Sequence, residues 1–229
     1  MFEIILTQEE ILLENKVSVS ILSADMTRLS EVIKEIENAK ADMLHFDVMD
    51  GVFVDNISFG APLLDSANRC TDMFMDVHLM IVNPYKYIEQ FVNAGADMIT
   101  FHIESDSDVS ETIDKIHSMG IKAGLSIRPK TPVDTLIPYL DALDMVLIMS
   151  VEPGFGGQGF MEDSLQKVRD LKKLIAESGR EVDIQIDGGI NADTAKLAVQ
   201  AGANVLVSGS YLFNSDSMKE AISGLKNIK

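Results

Sequence analysis

The chain has 229 residues, 46% of them apolar, which is enough for one substantial core and ordinary for a single α/β barrel. A net charge of −17 with no cluster of lysine or arginine argues against a nucleic-acid partner, whose phosphates demand cationic contacts. No apolar run approaches the ~20 residues of a membrane span, Glu3, Glu9, Glu10 and Glu14 are unlike a signal peptide, and the single Cys70 suits a reducing cytoplasm.

In chain order, residues 1–16 read as an N-terminal extension in which 7–15 predict a helix closing the bottom of a barrel. Strand-like apolar runs then begin near Val17, Met43, Phe74, Asp97, Ile121, Asp144, Val182 and Asn204. Amphipathic stretches at 29–39, 85–94, 109–119 and 165–176 predict helices between them. One unit recurs: Ala39-Lys40-Ala41-Asp42, Ala94-Gly95-Ala96-Asp97, Met119-Gly120-Ile121-Lys122 and Ala201-Gly202-Ala203-Asn204 each lead into a strand. Three of the four put Gly where a helix would end, the residue that tolerates a left-handed cap, and the fourth has Lys40. Eight such strand units predict a parallel sheet closed as an α/β, (β/α)8 TIM barrel, one domain over residues 17–229.

Chemistry in such a barrel sits at the C-terminal ends of the strands. His45-Phe46-Asp47 and Asp76-Val77-His78 each place a histidine and an aspartate two apart in a buried strand, and residues two apart share a face. His45 and Asp47 on strand two, His78 on strand three and Asp187 on strand seven would converge as a donor set for a divalent metal. Asp47 and Asp187 could also move a proton on either face of one substrate carbon, one ionised as base and the other protonated as acid. A Lewis-acidic metal would stabilise the enediolate left when that carbon loses its proton. That is the machinery of an epimerase or isomerase.

Met49, Met80 and Met149 fall at the ends of strands two, three and six, where thioethers could pack against an intermediate without hydrating it. Gly154-Phe155-Gly156-Gly157 after strand six, Gly188-Gly189 after strand seven and Gly209-Ser210 after strand eight offer backbone N–H groups to a phosphate. Ser20, at the end of strand one, is a candidate substrate contact, with Ser23 second to it. His102 and Glu104 repeat the two-apart pattern on strand four and read as supporting or core polar residues rather than a second metal site. His117 lies in a helix and reads as surface.

These motifs, in this order, resemble the ribulose-phosphate 3-epimerase family from about Val17 to Phe213. The resemblance is carried by Ser20-Ile21-Leu22-Ser23-Ala24-Asp25, the run from His45 to Asn56, Asp76-Val77-His78-Leu79-Met80, Pro153-Gly154-Phe155-Gly156-Gly157-Gln158 and Asp187-Gly188-Gly189-Ile190. It implies interconversion of D-ribulose 5-phosphate and D-xylulose 5-phosphate with one divalent metal ion: zinc, iron or manganese. It would make His45, Asp47, His78 and Asp187 the metal ligands, with Asp47 and Asp187 doubling as the acid/base pair. Substrate would meet Ser20, His78, Met49, Met80 and Met149, and its phosphate the backbone of Gly154, Phe155, Gly156, Gly157, Gly188, Gly189, Gly209 and Ser210. The implied partner is a small phosphorylated ketose, and the implied state is a homo-oligomer. The chain departs from the family's usual pattern at Val19, Val52, Asp55, Arg128, Glu152 and Tyr211, several of them near the predicted mouth. Those departures keep one rival, the same chemistry on a longer ketose phosphate such as D-allulose 6-phosphate; a second, less favoured, is a non-catalytic sugar-phosphate binder, since a fold by itself does not guarantee activity.

Overall fold

In the computed structural model, which describes residues 15–229, eight parallel strands close into one barrel in chain order. They are β1 (Lys16–Ser20), β2 (Met43–Met49), β3 (Phe74–Met80), β4 (Met98–His102), β5 (Lys122–Ile127), β6 (Met145–Met149), β7 (Asp183–Asp187) and β8 (Val205–Ser208). Every strand starts within one residue of its expected position. Around them lie α1 (Leu29–Asn38), α2 (Ala61–Asn68), α3 (Ile88–Asn93), α4 (Val109–Ser118), α5 (Ser164–Ser178), α6 (Ala192–Ala201), α7 (Ser210–Phe213) and α8 (Met218–Lys226). The helix expected over 7–15 lies outside the described residues except for Asn15, whose amide donates to the Ile228 carbonyl at 2.8 Å.

One expected helix divides, and one further connection is not α-helical. The stretch 85–94 divides into a 3-10 turn, Pro84–Lys86, and the short α3, because Asn83 caps the turn by accepting from the Lys86 N–H. Between β5 and β6 the chain winds as a 3-10 helix, Val133–Ala142, with Pro138 inside it. Proline has no N–H to give and crowds the preceding turn, so an α-helix is not sustained there.

Strand register sorts the interior into layers fed by alternate strands, as a barrel of this kind requires. The lowest layer comes from the even strands: Met43, Met98, Met145 and Val205 pack together, all buried. Directly above, the odd strands contribute Ser18, Asp76 and Gln185, with Gly124 completing the ring. A Cβ on Gly124 would stand 2.2 Å from Thr100 Oγ1, so the fourth place has no room for a side chain. Branched aliphatic residues usually fill such a layer. Here it is polar, and it lies immediately beneath the candidate site.

The recurring sequence unit has a structural meaning at the bottom of the barrel. The residue before each even strand accepts a hydrogen bond from a backbone N–H near the start of the preceding odd strand. Asp42 takes Val17 N, Asp97 takes Met75 N, Asp144 takes Ala123 N and Asn204 takes Ile184 N, at 2.7–2.9 Å. Each also returns its own N–H to the carbonyl of that same partner. The helix ends before three of these staples are left-handed, with φ of +102° at Gly95, +123° at Gly202 and +67° at Lys40. Gly120, before β5, has φ +81°.

Candidate metal and active site

Strand alternation brings the site together. His45 and Asp47 on β2 and Asp76 and His78 on β3 all face inward, with His45 paired beside Asp76 and Asp47 beside His78. Asp187 closes β7 between Met149 and Val207. One ligand atom from each of His45, Asp47, His78 and Asp187 lies within 4.8 Å of the other three. His45 Nε2 is 3.4 Å from Asp47 Oδ1 and 3.9 Å from Asp187 Oδ2. His78 Nδ1 is 3.3 Å and 3.9 Å from the same two oxygens.

The polar layer below determines how His45 is presented. Asp76 is fully buried, and its Oδ2 accepts from His45 Nδ1 at 2.8 Å, Ser18 Oγ at 2.8 Å and Gln185 Nε2 at 2.6 Å. With Nδ1 donating, His45 aims the Nε2 lone pair at the two site carboxylates. That nitrogen is buried and has no hydrogen-bond partner among the described residues. A carboxylate behind an imidazole whose other nitrogen is free is the usual setting of a metal-binding histidine. The two N and two O donors therefore fit a divalent cation, which would also relieve the approach of two carboxylates.

Burial opposes charge at every group here, so the exceptions are informative. Burial and the Asp47 carboxylate push Asp187 up to about 7, against a smaller pull from His45. Burial alone would raise Asp47 as well, but His45 and His78 hold it well below the usual carboxylate range. Ser20 Oγ adds a donor to Asp47 Oδ2 at 2.6 Å, which leaves Oδ1 toward the histidines. Burial disfavours a charged His45, yet Asp76 and Asp47 outweigh it and hold its pKa well above normal. The same field that draws a proton to Nε2 would draw a metal cation, which competes for that lone pair.

Above the cluster is a cavity lined by Asp47, Asp187 and Ser20, by Met49, Met80 and Met149, and by Gly154, Phe155, Gly156, Gly157, Gly188, Gly209 and Ser210. No lysine or arginine lines it. Two expected substrate contacts, His78 and Gly189, are not in this lining. His78 is fully buried and reaches the cluster only through Nδ1. Gly189 faces an adjoining hollow with Asn191 and Tyr211. Its φ of +65°, and a would-be Cβ 2.6 Å from Phe160 N, show why glycine is needed there for packing.

Leu22, Val151, Pro153 and Gln158 join the lining in addition to the expected residues, and Ser23 lines it beside Ser20. Strand alternation gives a signal for Val151, two residues past Met149. The supporting layer carries the same signal: Ser18, Asp76 and Gln185 each stand two residues before a site residue. Of the departures from the family pattern, Val52, Asp55, Arg128, Glu152 and Tyr211 are all absent from the cavity lining, and Val19 packs in the core. The Arg128 guanidinium is occupied by Phe53, lying 4.0 Å over its ring and donating to its carbonyl at 2.6 Å. His117 is an exposed partner of Asp144, and Cys70 donates to the Ser66 carbonyl, so neither belongs to the site.

Comparison with known proteins decides the lineage. The Ribulose-phosphate 3 epimerase family matches the chain over residues 16–213. The chain belongs to the ribulose-phosphate 3-epimerase family. This family member is 45% identical over 215 residues to the chloroplastic ribulose-5-phosphate-3-epimerase of Arabidopsis thaliana, covering 93% of this chain and 76% of that one. It is 44% identical over 215 residues to the ribulose-phosphate 3-epimerase of Bacillus subtilis, covering 93% and 99%. Membership makes it an enzyme, an epimerase acting on carbohydrates. Among solved structures, KGPDC from Streptococcus mutans superposes with a TM-score of 0.71 at 14% identity, covering 93% and 96% of the two chains. The 3-hexulose-6-phosphate synthase of Salmonella typhimurium does so with 0.66 at 15%, covering 93% and 97%. At such identities these two share the fold and nothing further. Among the described residues no helix is long and apolar enough to cross a membrane.

Proposed function

We propose that this epimerase interconverts D-ribulose 5-phosphate and D-xylulose 5-phosphate, with a divalent metal held by His45, Asp47, His78 and Asp187. The observation that carries the reading is two carboxylates of opposed proton affinity meeting in one buried cluster on the cavity lining. When bound, the metal would serve as a Lewis acid toward the charge that develops beside the substrate carbonyl. The protein's own part is proton transfer. Asp47 and Asp187 enter from non-neighbouring strands, so each can address one face of a carbon between them. The ionised carboxylate takes the proton from C3, the protonated one delivers a proton to the opposite face, and the reverse reaction exchanges the roles.

Other residues exclude water and set position. Met49, Met80 and Met149 place thioethers around the flattened intermediate, apolar and unable to donate a proton. Backbone N–H groups at Gly188, Gly209 and Ser210 would hold the phosphate beside the short α7, where barrels commonly build such a site. Gly154 to Gly157 would close over it, with Asn56 tying the loop through the Gly154 carbonyl at 2.7 Å. The departures from the family pattern lie outside the cavity lining, which supports the pentulose over a longer ketose. On this reading residues 17–229 form the catalytic barrel and residues 1–16 an extension to it.

The test is turnover of D-ribulose 5-phosphate by purified protein, before chelation, after it, and after metal is restored. Metal-restorable formation of D-xylulose 5-phosphate is expected. Metal-loaded protein inert on the pentulose but active on D-allulose 6-phosphate would transfer the assignment to the longer substrate. Inertness on both would leave only the binder.

A further inference from the structure

His78 has no Asp76 of its own, and its environment raises a question that the metal reading alone leaves open. A neutral imidazole carries one proton, and a ligand nitrogen must be the bare one. The cluster uses His78 Nδ1, which lies 3.3 Å from Asp47 Oδ1, an oxygen that would accept a proton from it, so a bare Nδ1 requires that the proton be held on Nε2 instead. The partner of His78 Nε2 is another imidazole nitrogen, His102 Nε2, at 2.9 Å. Two nitrogens at that distance share one proton, and either ring could supply it.

What lies behind His102 breaks the tie. Its Nδ1 is 3.1 Å from Glu104 Oε2, and a carboxylate can only accept, so His102 must donate from Nδ1. A neutral His102 then has a bare Nε2, which must accept, and His78 must donate. His102 is fully buried and its Nε2 faces an imidazole nitrogen rather than an anion, so nothing there supports a second proton on the ring. The carboxylate is secured in turn. Burial would raise the pKa of Glu104, but His102, Thr131 and the Arg128 N–H hold it at about 2. Lys167 pins that loop from α5 by donating to the carbonyls of Arg128 and Thr131 at 2.9 Å and 2.6 Å.

We propose that Glu104 and His102 are positioning residues that fix the proton of His78 on Nε2 and so present its Nδ1 lone pair to the metal. This rests on the reading of His78 as a metal ligand. It assigns the His102–Glu104 pair, which neither lines the cavity nor joins the ligand cluster, to the control of one ligand's protonation. The mirror arrangement on His45 uses one carboxylate directly. On His78 the carboxylate acts through an intervening ring that passes the acceptor on, and because it meets Nε2 rather than Nδ1 the other nitrogen is left bare.

The geometry gives a directional test in Glu104→Gln. The Arg128 N–H, 2.9 Å from Oε1, is a backbone donor that cannot turn away, so the amide oxygen must stay on that side. The amide NH2 then faces His102 and donates to Nδ1. His102 must carry its proton on Nε2, and His78 is driven to carry its own on Nδ1, the ligand position. Long-range proton–nitrogen NMR on metal-free protein with 15N-labelled histidine reads all four imidazoles of the chain. Wild type should show His102 protonated on Nδ1 and His78 on Nε2, and Glu104→Gln should reverse both while leaving His45 and His117 unchanged. Competition with a chromophoric chelator for zinc or manganese should show affinity falling ~10–100-fold in the variant.

A wild-type His78 protonated on Nδ1 would overturn the proposal, even if the variant fails to fold. So would a Glu104→Gln protein that keeps both wild-type tautomers and wild-type metal affinity. Wild-type protein that shows the expected tautomers and binds neither metal would instead sink the metal reading and leave the proton relay standing.

Discussion

At the N-terminal end of the barrel four residues repeat one task at four separate places, whereas at the C-terminal end residues of different chemistry converge on one point. Asp42, Asp97, Asp144 and Asn204 each close the same backbone staple beneath an even strand, above which Met43, Met98, Met145 and Val205 pack as one layer. At the mouth, two histidines and two aspartates from three strands crowd together, and His45 Nε2 has no partner among the described residues. The repeated end satisfies its polar groups without help. The other sets its own charges in conflict, which a bound cation would relieve on the proposed reading. Stability and reactivity are thus separated along the barrel axis, as the fold permits.

The largest effect that would test this separation is Asp187→Asn. General acid–base catalysis contributes ~10²–10⁴-fold, and loss of a metal ligand should add to it, so turnover of the metal-saturated variant should nearly vanish. Near-wild-type kcat would end the two-carboxylate reading. The same substitution should stabilise the metal-free protein. An unfolded chain ionises this carboxyl near its ordinary value of 3.8, but burial and Asp47 hold it at about 7 in the folded chain. Between those values the folded state carries the extra proton, so the folding stability due to this group falls as pH rises. Each tenfold gain in proton affinity corresponds to about 1.4 kcal/mol, an upper measure for carboxylates this close. Urea unfolding of metal-free proteins should therefore show little difference near pH 4 and a more stable variant at pH 8. A variant less stable at pH 8 would mean that Asp187 is not strained in the resting site.

A smaller effect of opposite kind is expected from Asp97→Ala at the other end. It leaves the N–H of the buried Met75 unpaired, at a cost of about 1–3 kcal/mol, while kcat/KM stays unchanged. Denaturant midpoints and initial rates on the same preparations measure both. A fall in kcat/KM at full folding would show that the two ends are coupled.

The sequence carries these two ends unequally. Strand positions are legible because each strand is short, apolar and preceded by a cap, and the ligand residues because alternation forces His45 with Asp47 to one face. Asp76 is inward-facing by the same rule, yet its role as the holder of His45 depends on the stagger between β2 and β3, which places His45 rather than Asp47 beside it. The bond between His78 and His102 is likewise invisible along the chain, since it joins residues 24 apart on neighbouring strands. The connection before β6 buries Val133, Leu136 and Leu140 at helical spacing, so only Pro138 distinguishes it along the chain from an α-helix. Adjacency groups Gly189 with Gly188, but consecutive residues diverge after a strand ends, and only Gly188 reaches the cavity.

Lys40 offers the mildest test, and it isolates backbone strain from packing. It occupies the position that Gly95 and Gly202 fill in the equivalent units, at φ +67° with its side chain exposed. A left-handed residue with a Cβ costs about 1–2 kcal/mol, partly offset because glycine loosens the unfolded chain. Lys40→Gly should therefore raise stability by roughly 0.5–1 kcal/mol, with turnover untouched. The reciprocal change, Gly120→Ala, should lower it by about 1 kcal/mol, because a Cβ there meets no atom within 4 Å and only the backbone cost remains. If Lys40→Gly destabilised instead, the side chain would have to be stabilising the bottom of the barrel through more than its backbone. The carbonyl of Lys40, which accepts from Lys226 Nζ at 3.3 Å, is kept in the variant and cannot be the reason.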